Sequence, residues 1–218
     1  MQARACGPLA GNQLGVDVVV RSKTDLLNYT ESEGWADTRE LHSVALAYDG
    51  LNNTELVTLL GKITTVTGRI LIETCTGLAE IVLAELTTVG LFEVLPLPGC
   101  KCPNWTQNCA DSTPTVTAIR MPKLVSVGAE LVMRDMDQLV ELSVDRLTTV
   151  GGELVLSNVN GLPRVSFPSL QSVGGRFVIF VANKATELSL LSLERVLGWA
   201  VDVYYMDKLR RIVAPLFT

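Results

Sequence analysis

The side chains able to do chemistry are few and unevenly placed. Five cysteines, Cys6, Cys75, Cys100, Cys102 and Cys109, stand with a single histidine, His42, in 218 residues. The Cys100-Lys-Cys102 pair with Cys109 has the look of a metal knuckle. A structural zinc site takes four ligands, however, and there is no second cysteine pair, while His42 is far away in sequence. No metal and no cofactor is therefore expected. Sugar-cleaving chemistry needs two carboxylates facing each other across a cleft. Glu80, Glu85, Glu141 and Asp145 supply acid groups but no paired column, and His42 has neither a nucleophile nor an orienting partner readable nearby. The chain is expected to be non-catalytic. Three N-x-S/T triplets, at Asn28, Asn52 and Asn104, are possible glycan acceptors. Together with cysteines that read as a disulfide-pinned loop of unfixed connectivity, one left over, they point outside the cell or to its surface.

The residues that must carry any such site are organised by a repeat. Leu124, Leu147, Leu170 and Leu193 stand 23 residues apart, as do Val127, Val150, Val173 and Val196. A fixed period of that size marks a solenoid, in which each unit buries its apolar face only against its neighbours. Leu131/Met133, Leu154/Leu156, Phe177/Ile179 and Val201/Val203 alternate with the period of a strand, as do Leu142/Val144, Val165/Phe167 and Leu188/Leu190. No unit has room for a helix of ordinary length. The spacing predicts an all-β, right-handed parallel β-helix, one coil per repeat. Gly128, Gly151 and Gly174 mark a corner expected to need positive φ. Asp137, Asn160, Asn183 and Asp207 mark a second corner, where short polar side chains cap the turn.

One domain is expected over residues 1–218, with an N-terminal cap over 1–40 and a cysteine-containing loop insertion over 95–115. Ser22 is the expected cap of a short helix beginning near Lys23, and Leu46 to Val66 reads as an irregular coil turning at Asn52-Asn53. The net charge of −5 and scattered basic residues argue against nucleic acid as a partner. No apolar run is long enough to span a membrane. The opening residues lack the apolar stretch of a signal peptide, and the chain is expected to be a processed or excised piece.

The pattern L-x-x-V-G-G-x-L-x-L, a turn, then L-x-x-V-x-F-P-S-L and V-G-G again, clearest over Leu147 to Gly175, resembles the receptor L-domain family. That family includes the β-helical domains of insulin-receptor and EGF-receptor ectodomains and of glycosylphosphatidylinositol-anchored fungal cell-wall proteins. Val18 to Leu27 is similar to the family's opening strand and helix. The resemblance implies a non-enzymatic ligand-binding module or wall component at the cell surface, and it carries over no ligand-contacting residue. The alternation itself supplies a candidate face. With Leu131 and Met133 inside, Val132, Val155 and Val178 point out, with Leu71 before and Asp202 after them. Glu130, Arg134, Glu153, Ser157, Arg176, Phe180 and Tyr204 rim this stripe. The expected partner is a protein or glycan bound by that wall. Two alternatives stay open: a carbohydrate-active β-helix enzyme, and an ice-binding solenoid prompted by Thr64-Thr65, Thr87-Thr88 and Thr148-Thr149.

Overall fold

The structure, a computed structural model, describes residues 18–32, 35–47, 50–74, 77–97, 114–198 and 201–215. The cysteines and Asn104 lie outside them. The chain winds into a right-handed parallel β-helix of about seven coils. Its longest wall stacks, in chain order, Val18–Val20, Val44–Ala47, Thr65–Thr74, Thr88–Pro96, Leu131–Arg134, Leu154–Ser157, Phe177–Phe180 and Val201–Tyr204. Short strands at one corner of that wall, Ser126–Val127, Thr149–Val150, Ser172–Val173 and Arg195–Val196, continue the leading end of Thr88–Pro96. Two three-stranded sheets complete the coils: Glu80–Val82, Ala118–Arg120, Glu141–Ser143, and Arg164–Ser166, Glu187–Ser189, Arg211–Val213.

Register follows the repeat. Leu131 pairs with Leu154, Leu154 with Phe177 and Phe177 with Val201, so equivalent side chains stack in columns. The inward columns form one continuous core, in which Leu124, Leu147, Leu170 and Leu193 are fully buried. Stacking like on like lets each coil remove its neighbour's apolar face from water, at roughly 25 cal/mol per Å² buried.

Both corners are present, but the glycine corner has a different cause from the expected one. Among the described glycines only Gly77 has positive φ. At Gly151 an added Cβ would sit 2.0 Å from the Gly128 carbonyl oxygen, and at Gly174 1.9 Å from that of Gly151. Glycine is required there because adjacent backbones approach too closely for any side chain. The left-handed conformation belongs instead to Asp135, Asn158, Val181 and Tyr205, with φ of 57°, 53°, 62° and 52°. Asn158 Nδ2 donates to Asp135 Oδ1, giving two of these residues the local support that suits them to left-handed backbone. The expected polar ladder stands beside it: Asn160 Nδ2 donates to Asp137 Oδ1 at 2.7 Å, and the Asn183 N–H donates to Asn160 Oδ1 at 3.2 Å.

Helix α1, Lys23–Thr30, starts as expected, with Ser22 Oγ accepting from the Asp25 N–H at 3.2 Å. The irregular coil expected over Leu46 to Val66 is corrected by a second helix, α2, Asn53–Leu60. Its signal is a capping box: Asn52 Oδ1 accepts from the Glu55 N–H at 3.0 Å, and Glu55 Oε2 accepts from the Asn52 N–H at 3.1 Å. Leu56, Leu59 and Leu60 are buried in the core. The opposite end of the core is more open. Val196, Val203, Met206 and Leu209 are only partly buried, whereas their equivalents one coil earlier, Val173, Ile179, Ala182 and Ala185, are 0% exposed.

Candidate functional site

The expected binding stripe lies on the outward face of the long wall. One hydrogen-bonded column runs Ala45, Leu71, Glu93, Val132, Val155, Val178, Asp202. Its members are not equally available. Leu71, Val132 and Val155 are 3%, 3% and 8% exposed although they lie outside the main core cluster. Val178 is half-buried. The stripe's centre thus offers little apolar surface.

The rim is where surface is offered. Phe180, Tyr204 and Tyr205 are 40%, 50% and 63% exposed at the last two coils. Phe180 packs against Tyr204 with ring centroids 6.2 Å apart, and edge-on against Tyr205 at 5.4 Å. Such contacts hold the rings in place before any ligand arrives. Arg134 and Arg176 are exposed on the same wall, Arg176 paired to Glu153 at 3.0 Å. The structure therefore brings Phe180 and Tyr204 together and places Tyr205 beside them. Tyr205 was not legible from alternation, because its left-handed backbone takes it out of the strand's two-residue period.

At the other end of the wall, polar groups converge on a recess of about 630 Å³ lined by His42, Ser43, Thr67, Arg69, Leu91 and Glu93 with Gly68, Gly90, Gly128 and Ala129. His42 Nδ1 and Thr67 Oγ1 are 3.1 Å apart. Arg69 forms an ion pair with Glu93, and its Nε is buried without a hydrogen-bond partner. Glu73 is one strand-period beyond Leu71, and burial pushes its carboxyl up, with Arg69 opposing and Glu93 adding to the rise. Because the folded chain holds this proton more tightly than the unfolded one, the stability from the group is full below the ordinary glutamate value of about 4.3. It declines as pH rises through the folded value. Glu73→Gln is expected to remove that decline, raising the denaturant midpoint at pH 7 while leaving it unchanged at pH 3. An equal shift at both pH values would show that titration of Glu73 is not the cause.

The acidic residues considered for catalysis are tied up elsewhere. Arg120 lies between Glu80 and Glu141, bonded to both at 2.9 and 2.6 Å, and Lys123 pairs with Glu85 at 2.6 Å. The Arg120 guanidinium holds the Glu141 carboxyl below the usual carboxylate range. Asp145 accepts from Ser143 Oγ at 3.0 Å. Arg120 thus bridges neighbouring strands on a solvated wall, where an exposed pair is worth about 0.2–1 kcal/mol. Among the described residues no three His, Cys, Asp or Glu side chains gather as a metal site, and no helix is long and apolar enough to cross a membrane. The Cys100, Cys102 and Cys109 knuckle, like the disulfide candidates Cys6 and Cys75, falls outside the described residues. Of the glycan acceptors, Asn28 on α1 and Asn52 at the start of α2 are exposed. The chain matches no protein-family model, no curated protein and no solved structure.

Proposed function

We propose that this chain is a non-catalytic recognition module of the cell exterior that binds a partner protein through the C-terminal part of its long wall. The observation carrying this reading is the exposed trio Phe180, Tyr204 and Tyr205 beside Arg176. Aromatic residues and arginine are the types enriched where partners dock, because they bring a large contact area with few rotamers to freeze. The rings already pack on one another, which reduces the reordering needed on binding. Exposed asparagines in two sequons support an extracellular setting, as does the resemblance to receptor L-domains.

Val155 is a poor place to test the wall, since a charge there would be buried. Phe180 and Tyr204 can be truncated without opening the core. Cell-surface ectodomains displayed singly and probed with the purified chain are expected to yield a binder whose affinity falls at least tenfold for Phe180→Ala/Tyr204→Ala. Undiminished binding by that variant, or turnover of a polysaccharide by the wild type, would sink the proposal.

A further inference from the structure

We infer that the C-terminal end of the solenoid is a homodimer interface, at which the open last coil of one copy stacks on that of a second. The inference is independent of the aromatic wall and starts from the inner columns. Val201 pairs with Phe177, and Ile212 with Leu188. Phe177 and Leu188 are 0% and 2% exposed, whereas Val201 and Ile212 are 40% and 62% exposed. Val196, Val203, Met206 and Leu209 are partly open beside them. The last coil thus keeps the apolar inner residues of a coil with neighbours on both sides, where a solenoid end ordinarily needs a polar outer face to stay soluble.

The backbone is open in the same place. Among the described residues, Arg195–Val196, Val201–Tyr204 and Arg211–Val213 each pair with one strand only, that of the preceding coil. Each presents a free edge of N–H and C=O groups. An occupant must therefore bring apolar groups to the middle of the face and hydrogen-bonding groups to three of its sides. A single peptide strand reaches one edge; another solenoid coil reaches all three.

Charge and size favour a second copy as that coil. Over residues 193–215 the bases Arg195, Lys208, Arg210 and Arg211 nearly balance the acids Glu194, Asp202 and Asp207, so two such ends can meet without the repulsion expected of chains carrying −5 each. By alternation Arg195, Asp202 and Arg211 stand on the outside of their strands, a charged rim around an apolar centre. One coil of about 23 residues also matches the roughly 20–30 residues that each side gives to a standard interface.

The other end of the solenoid sets the symmetry. Its first strand has Val18 and Val20 only 1% and 0% exposed, with α1 packed against that strand and α2 against α1. A head-to-tail contact would need that end open. Contact between two identical C-terminal ends is isologous and closes at two copies. The facing edge strands then run antiparallel, the slightly more stable pairing.

The test is sedimentation velocity of the full chain over a range of micromolar concentrations, with hydrogen exchange on the same samples. A species of twice the 23.6 kDa chain mass is expected, with residues 201–204 and 211–213 protected. Ile212→Glu/Val201→Glu places charge on side chains already exposed in the single copy. It is expected to weaken self-association at least about 100-fold, with protection lost at those strands and kept over the preceding coils. Val125→Glu, an exposed position away from that end, should leave the dimer intact. A monomer at every concentration would overturn the interface; a protected last coil in that monomer would mean that another segment of the same chain covers it. A dimer that survives Ile212→Glu/Val201→Glu, or masses that grow past two copies, would equally end the proposal.

Discussion

Gly151→Ala is expected to destabilise the fold by about 3 kcal/mol or more, whereas Gly128→Ala, one coil earlier in the same column, should change stability by less than about 0.5 kcal/mol. The two positions look equivalent in sequence. In space they are not: an added Cβ meets the Gly128 carbonyl oxygen at 2.0 Å from Gly151, but from Gly128 its nearest neighbour is the Gly90 carbonyl oxygen at 3.4 Å. The first is an overlap with backbone, which cannot rotate out of the way, and the second is an ordinary contact. Relief at Gly151 would mean separating two coils that are tied by the Gly151 N–H to the Val127 carbonyl at 2.8 Å and the Gly152 N–H to the Ala129 carbonyl at 2.6 Å. Overpacking typically costs about 1–3 kcal/mol, and each backbone hydrogen bond lost adds about 1 kcal/mol. Neither glycine has positive φ, so alanine carries no dihedral penalty at either site, and at Gly128 the stiffer unfolded chain can even give a small gain. Urea denaturation of the two variants decides the matter. Equal losses would mean that the corner is governed by a property shared along the column rather than by close approach.

That pair of glycines also shows what was legible in the sequence and what was not. Periodicity exposed the columns, because a solenoid writes each contact as a repeated residue type; Leu131, Leu154 and Phe177 could be aligned without any coordinates. The reason for a column was harder to see. Glycine serves both positive φ and close approach, and only distances distinguish the two. The strand period of the flanking coils masks helix α2, whose sign in the sequence is the three-residue spacing of Asn52 and Glu55, that of a capping box. Alternation assigns Val132, Val155 and Val178 to the outward wall, yet it says only which way a side chain points. It does not say how much of it water reaches, and so the burial of Val132 and the exposure of Phe180 both came from the structure.

Phe177→Ala should cost about 3–5 kcal/mol, and the loss is expected to be confined to the C-terminal coils. Phe177 is fully buried and meets Phe167 edge to face, with centroids 5.9 Å apart and planes at 85°. In a compact globular core such a loss would lower the stability of the whole domain. A solenoid differs because each coil touches only its neighbours, so its stability is close to a sum of coil and interface contributions. In the coil after Phe177 the inner residues Val196, Val203, Met206 and Leu209 are only partly buried. Weakening the interface behind it should release residues 177–213 as a unit while the preceding coils hold. Hydrogen exchange read by mass spectrometry is expected to show protection lost over those residues and kept over 44–74, around the recess at His42. Uniform loss of protection along the chain would show that the coils unfold as one cooperative body. Phe180, Tyr204 and Tyr205 all lie within the released segment. Partner binding at the wall should therefore vanish in the same variant.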